Sequence, residues 1–478
     1  MNILFATSES YPFMKTGGLG DVAYALPKAL RKLGIDIRVI MPKYTKISKE
    51  YSDKMEKVAE YNVQVGWRNQ YCGLLHQEYN GIPFYFIDNE YYFKRGSAYG
   101  DFDDGERFSF FSKAILEAIK YIDDFTPDIL HCNDWHTAIA IPLLKEHYKN
   151  DSRYNNIKTV YTIHNLKYQG LFAKEMLGEL LSLGMEYFSE DKLKYYSAIS
   201  FMKGGIIFAD RVTTVSPTYA EEIKTEYYGE GLNGLLRSRD CNLHGILNGL
   251  DTDLNNPIID KNLFVNYDEN NVIGKEKNKE SLQELLNLPK NKDIPMIGMV
   301  TRLEEQKGID LIREVIEELL REDIQLVILG TGDQRYEDMF KFFAWKYPNK
   351  ISANIYFDAS LAQKIYAASD MFLMPSKFEP CGIGQLIALK YGSIPIVRET
   401  GGLNDTVHSY NEYTGEGNGF TFKNYNSQDM LYTIKRAINF YYNKDIWNKL
   451  ITTAMKEDFS WNKSAQEYIQ MYRKVLDK

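Results

Sequence analysis

Three stretches hold the residue types that chemistry on a phosphorylated substrate needs. The first is MKTGGLGDV (residues 14–22), where Lys15 precedes Gly17, Gly18 and Gly20, and Asp21 follows. It is neither the dinucleotide fingerprint G-x-G-x-x-G nor the P-loop G-x-x-x-x-G-K-[ST]. A glycine-rich turn that opens a helix still offers backbone N–H groups to an anion. Similar letters return in TGGLND (residues 400–405). Two such loops serving one anionic ligand would explain both, with chance recurrence as the alternative. The second stretch, VTRLEEQKGIDL (residues 300–311), puts Arg302 at a strand end and Lys307 at the following helix start. Arg as a fork and Lys as a point charge suit a phosphate; taken alone, the pair reads better as solvated surface. The third, SKFEPCGIGQL (residues 376–386), sets Glu379 in a turn closed by Pro380 and Gly382. That carboxylate is either a polar handle for a ligand or an acid complementing a helix dipole.

HCNDWH (residues 131–136) and YTIHNLKYQG (residues 161–170) bring His131, His136, His164 and Asp134 into play and raise a zinc site. The H-E-x-x-H and C-x-x-C spacings are missing, and Cys72, Cys132, Cys241 and Cys381 lie far apart, so no metal is expected. Asp251 and Asp253 form a D-x-D of the kind that holds a divalent ion in some sugar-nucleotide enzymes. Placed after ILNGL, they read as a turn at a domain exit.

These residues need strands and helices to position them. ILFAT, IRVIM, DILHC, KTVYTI and RVTTVS read as buried strands of the first half; PMIGMV, IQLVIL, ANIYF, MFLMP and IPIV do so in the second. Between them run amphipathic segments such as KGIDLIREVIEELL, with Ile309, Ile312, Val315, Ile316, Leu319 and Leu320 on one stripe. Strand–helix alternation predicts an α/β chain of two doubly wound parallel-sheet, Rossmann-like domains, with ligands beyond the carboxyl ends of the strands. The alternation pauses in a polar stretch at about 251–295. The expected division is residues 1–250, 251–459, and a terminal helix 460–478 that packs on either half, the first included.

The 478 residues exceed one ordinary core, and 44% hydrophobic with 26% charged residues is ordinary globular composition. A net charge of −8 argues against a broad nucleic-acid or anionic-membrane surface. No basic n-region opens the chain, no apolar run reaches membrane length, and the cysteines are unpaired in spacing, so a cytoplasmic location is expected. The 36 tyrosines suit carbohydrate contact, but packing is the favoured reading of them.

KTGGLGDV, MPKY, DDGERFSFF, NDWH, YTIHNLKYQG, TTVSPTYA, GILNGLD, TRLEEQKG, PSKFEPCG, TGGLNDTV and FSW follow one another in this chain. In that order they resemble the bacterial glycogen synthases and plant starch synthases, from the first strand to the last helix. The resemblance implies a GT-B fold with its site in an interdomain cleft, and transfer of glucose from ADP-glucose to the non-reducing 4-OH of an α-1,4-glucan with retention. It implies no metal or other cofactor. It places Lys15, Gly17 and Gly18 near the donor's diphosphate and sugar, and Arg302 and Lys307 on the leaving diphosphate. His164 falls beside the glucose ring, and Asp21, Asp134, Asn165 and Asn248 near sugar or acceptor. Glu379 holds glucose hydroxyls, assisted by Cys381 and Gly382, while Thr400, Gly401 and Gly402 face the phosphates and Phe357 stacks on the base. Glu379, His164, Arg302 and Lys307 are the catalytic candidates.

The chain departs from the family pattern at four points. Asn133 stands where the family's middle histidine is usual, Gly384 where threonine is common, Ile387 where many retaining GT-B enzymes have a second acid, and Phe357 where tyrosine is usual. The alternatives are a related retaining transferase using UDP-glucose or a small acceptor, and a catalytically silent glucan-binding subunit. Oligomeric state is not legible.

Overall fold

A computed structural model describes residues 1–477. The chain forms two compact units: Met1–Gly249 with the terminal segment from Trp461, and Leu250–Ser460.

The strands of the first unit are β1 (Asn2–Ala6), β2 (Asp36–Pro42), β3 (Glu56–Val65), β4 (Arg68–Tyr79), β5 (Ile82–Asp88), β6 (Ile129–Asn133), β7 (Lys158–Ile163), β8 (Leu171–Ala173), β9 (Lys194–Tyr195), β10 (Ala198–Ser200), β11 (Arg211–Thr214) and β12 (Leu243–Gly245). Nine form one sheet in the order β12-β11-β7-β6-β1-β2-β5-β4-β3, and β8, β10 and β9 make a small separate sheet. From β12 to β5 the pairing is parallel. Ile3, Leu4, Phe5 and Ala6 of β1 are wholly buried, as a strand covered on both faces requires. The antiparallel β3–β4–β5 extension is absent from the expected strands. β3 is exposed along much of its length, so no continuous apolar run marks it.

The terminal helix Trp461–Leu476 belongs to this unit and packs against the helix Gly18–Lys32. Its Tyr472 hydroxyl lies 2.7 Å from His131 Nδ1, whose Nε2 is 2.6 Å from Thr162 Oγ1; that hydroxyl is 2.6 Å from Thr213 Oγ1. Ser464 Oγ donates to the Leu247 carbonyl at 2.6 Å. This buried polar chain ties the last helix to three neighbouring strands, because each member in a dry interior needs its partner.

The second unit has one six-stranded parallel sheet: β13 (Met296–Val300), β14 (Gln325–Leu329), β15 (Ile351–Asn354), β16 (Met371–Met374), β17 (Ile394–Arg398) and β18 (Phe420–Phe422), ordered β15-β14-β13-β16-β17-β18. The stripe Ile309, Ile312, Val315, Ile316, Leu319 and Leu320 is buried, as its helical period predicts. Each unit is therefore doubly wound.

Two local expectations differ. The strand expected at ANIYF is β15, which ends at Asn354, so Ile355, Tyr356 and Phe357 leave the sheet before Asp358 caps the next helix through Leu361 N–H. The polar stretch 251–295 contains a helix, Ile273–Leu285. Its buried face includes Lys275, Asn278 and Lys279 rather than apolar residues alone, which hides it from a hydrophobic pattern. Lys275 Nζ donates to the carbonyls of Ser369 (2.7 Å), Ala367 (3.0 Å) and Tyr391 (3.2 Å), and Lys279 pairs with Asp370 at 2.6 Å. Burial pulls the Lys275 ammonium down to about 7.

Replacing Tyr472 with Phe removes one hydroxyl and strands His131 Nδ1. The expected loss is about 1–3 kcal/mol of stability, read from urea unfolding; an unchanged midpoint would remove the anchoring role.

Candidate active site

The candidate residues lie just past the carboxyl ends of parallel strands, where a doubly wound sheet opens its ligand site. In the first unit, β1 leads to Glu9 and the glycine loop, β6 to Asp134, β7 to His164 and Asn165, and β12 to Asn248. In the second, β13 leads to Arg302, β15 to Phe357, β16 to Glu379, and β17 to Thr400.

The glycine loop of the first unit already holds an anion, and it is a side chain. Glu9 is buried, and its carboxylate accepts N–H bonds from Thr16 (2.7 Å), Gly17 (3.2 Å) and Gly20 (3.1 Å), with a further bond from Thr16 Oγ1. Burial raises the Glu9 pKa, while these four donors pull against the shift. The Gly17 N–H, which the resemblance brings near the diphosphate, is bonded to Glu9 in this structure. Gly18 begins the helix, and Lys15 reaches forward to pair with Asp21 at 2.7 Å. Glu9 belongs to none of the motifs, although an acid three residues beyond β1 and ahead of a glycine loop is a usable signal.

Asp134, past the end of β6, organises its neighbours in the same way. Its Oδ1 accepts the backbone N–H groups of His164 (2.8 Å) and Asn165 (3.4 Å). Its backbone sits at φ +53, the left-handed region where a side chain is strained. Burial, with Glu9 nearby adding to it, raises its carboxyl to about 7. Asn133, the departure from the family histidine, takes a definite role: its Nδ2 donates to the Ala6 carbonyl at 3.0 Å, and its Oδ1 lies 2.9 Å from His164 Nε2. An acceptor there puts the His164 proton on Nε2 and leaves Nδ1 as a lone pair. Asn248 is buried, and its Oδ1 has no hydrogen-bond partner among the described residues.

In the second unit, Lys307 Nζ lies 2.6 Å from Glu379 Oε2, which also accepts from Ser376 Oγ at 3.1 Å. The glycines of TGGLND allow close packing. A Cβ on Gly401 would stand 2.0 Å from the Glu379 carbonyl oxygen, and one on Gly402 2.1 Å from that of Cys381. Gly402 N–H faces the Glu379 (3.3 Å) and Pro380 (3.2 Å) carbonyls. Gln385 Nε2 closes the turn on Cys381 O and Gly382 O. Lys307, Glu379, Cys381, Gly382, Gly401 and Gly402 thus form one cluster that includes the Thr400 helix cap. Arg302 is half exposed and paired with Glu304 at 3.1 Å. Phe357 is 91% exposed. Gly384 starts a helix with Met374, Tyr366 and Phe372 at 3.3–3.4 Å from where a Cβ would be, and Ile387 packs on the core.

The histidines do not converge on a metal. His131 bonds Tyr472 and Thr162, His164 faces Asn133, and His136 packs on Trp135 (4.0 Å between ring centroids) with neither nitrogen partnered among the described residues. Asp251 Oδ1 accepts from Asp253 N–H in a turn. No described helix is long and apolar enough to cross a membrane.

Burial lowers all three imidazoles from 6.5 to about 3. A depressed histidine stabilises the fold fully above 6.5 and loses that contribution as pH falls toward 3, since the unfolded chain takes the proton first. Acidification below 6.5 should therefore steepen the loss of stability. His136→Phe should flatten it by up to about 1.4 kcal/mol per pH unit, measured by urea unfolding across that range; an unaltered slope would contradict a neutral buried His136.

With this geometry in view, comparison with known proteins places the chain. Residues 2–238 match the starch synthase catalytic domain family, and residues 272–449 match glycosyl transferases group 1. The chain is 73% identical over 478 residues to a glycogen synthase of Clostridium novyi (strain NT), and 64% identical over 477 residues to one of Clostridium acetobutylicum, with full coverage on both sides. Among solved structures it is similar to the catalytic domain of starch synthase IV from Arabidopsis thaliana bound to ADP and acarbose, with a TM-score of 0.93, 35% identity, and coverage of 100% of this chain and 99% of that one. The chain belongs to the glycogen synthase and starch synthase family of glycosyltransferases.

Proposed function

We propose that the protein transfers glucose from ADP-glucose to the non-reducing 4-OH of an α-1,4-glucan with retention of configuration. The observation that carries the site assignment is the Lys307–Glu379 pair, set by close glycine packing past the ends of parallel strands. Breaking the anomeric C–O bond leaves positive charge on the sugar and an added negative charge on the diphosphate. Lys307 and Arg302 stabilise that leaving group. The acceptor oxygen then bonds the anomeric carbon from the same face, and its proton passes to the departing phosphate. Glu379 orients glucose hydroxyls and holds Lys307 in place. Neutral His164, with Asn165 and the unsatisfied Asn248 Oδ1, lines the sugar's surroundings in the first unit, and Lys15 and Asp21 serve the donor and acceptor. Asp134 acts by holding the His164 loop.

The guanidinium of Arg302 and the ammonium of Lys307 supply the charge that a metal gives elsewhere, so the reaction runs without a divalent ion. Phe357 carries no hydroxyl for base recognition; a bare ring stacks on uracil as on adenine, which keeps UDP-glucose as the second donor to test.

The deciding experiment incubates the protein with glycogen and either ADP-glucose or UDP-glucose, and follows released nucleotide and incorporated glucose. ADP-glucose should support incorporation, with EDTA making no difference. Nucleotide release without glucan growth would point to another acceptor, and silence with both donors to a non-catalytic glucan binder.

Lys307→Ala should lower kcat by ~10²–10³ with the fold intact. Glu379→Gln should reduce turnover more than nucleotide affinity; equal losses in both would sink its sugar-orienting role.

A further inference from the structure

Phe102 contributes nothing to either core. It is 100% exposed, the most exposed large apolar side chain among the described residues. Scattered apolar side chains on a surface are ordinary, but the frame beneath this one is not. Arg107, fully buried, donates from Nη1 to Asp101 at 2.9 Å and to Asp104, from Nη2 to the Ala98 carbonyl at 3.0 Å, and from Nε to the Tyr92 carbonyl at 2.7 Å. Arg95 Nη2 donates to Asp103 at 2.7 Å, and Gly100 N–H to Asp104 at 2.7 Å. The residues immediately before and after Phe102 are each fixed by a guanidinium, so the ring is presented from a set position. The same contacts explain the local acidic cluster of Asp101, Asp103 and Asp104: each of its carboxylates faces one of two arginines.

The frame also joins the candidate site of the first unit. The Tyr99 hydroxyl bonds Thr16 Oγ1, the neighbour of Lys15, and the Tyr99 ring lies 4.7 Å from His136, two residues past Asp134. A glucan chain presents the apolar C–H faces of its pyranose rings. A phenyl ring offers a flat apolar face and no hydrogen bond, so Phe102 suits that contact and not polar recognition.

We infer that Phe102 binds the acceptor: it is an aromatic platform, carried on a fixed backbone beside the Lys15 loop, on which a glucose ring of the α-1,4-glucan stacks. The inference rests on the glucan-transfer reading above.

Its test compares the wild type with Phe102→Ala and Phe102→Trp, using maltooligosaccharide as acceptor and ADP-glucose as donor. Because the ring buries nothing, urea unfolding should be the same for all three. Phe102→Ala should raise the acceptor KM about tenfold, the scale of one lost aromatic contact, while the ADP-glucose KM stays unchanged. Phe102→Trp should restore the acceptor KM. An unchanged acceptor KM in the alanine variant overturns the inference, as does a rise in the ADP-glucose KM alone, which would mean stacking on the base. A wild type that extends no glucan overturns the transfer reading and this inference with it; a wild type that extends glucan beside an indifferent variant overturns the inference only.

Discussion

Backbone N–H groups at the ends of parallel strands have to be satisfied by something, and in the first unit protein carboxylates do much of it. Glu9 gathers three N–H groups of the glycine loop, and Asp134 gathers those of His164 and Asn165. A buried carboxylate is costly unless hydrogen-bonded, and an unpaired N–H is costly for the same reason, so each arrangement stabilises both partners. The loops become fixed scaffolds, and the side chains they carry, Lys15 and His164, are placed before any substrate arrives. Preorganisation of this kind lets charged groups act without reorienting during reaction.

The second unit solves the same placement problem by packing. Gly401 and Gly402 let two strand-end loops touch at backbone distance, which seats the Glu379 turn. Lys307 then meets Glu379 across that contact. A side chain at either glycine would push the turn away and take the ion pair with it. The repeated letters of the two glycine loops therefore serve different ends: one wraps a carboxylate, the other permits close approach.

The departures from the family pattern are absorbed locally. Asn133 keeps the hydrogen bond to His164 and sets its tautomer, while its amide anchors the neighbouring strand end at Ala6. Gly384 lies where Met374, Tyr366 and Phe372 leave little room for a side chain. Ile387 is a core contact, which agrees with a mechanism that asks for no second acid at that position.

By itself the sequence determined the two-unit doubly wound plan, most strands, the stripe of the helix Ile309–Leu319, and the identities of Lys15, His164, Lys307 and Glu379 as site candidates. Those features are local: apolar runs and motif spacing are printed along the chain. Hidden from that reading were the hairpin extension β3–β4, the helix Ile273–Leu285 with its buried lysines, and the early end of β15, since each depends on partners distant in sequence. Only the tertiary structure decided that Glu9 fills the first glycine loop, that Gly401 and Gly402 pack against the Glu379 turn, and that Tyr472 bonds His131 across 341 positions. A carboxylate's letter does not say which N–H groups will surround it; folding brings them together.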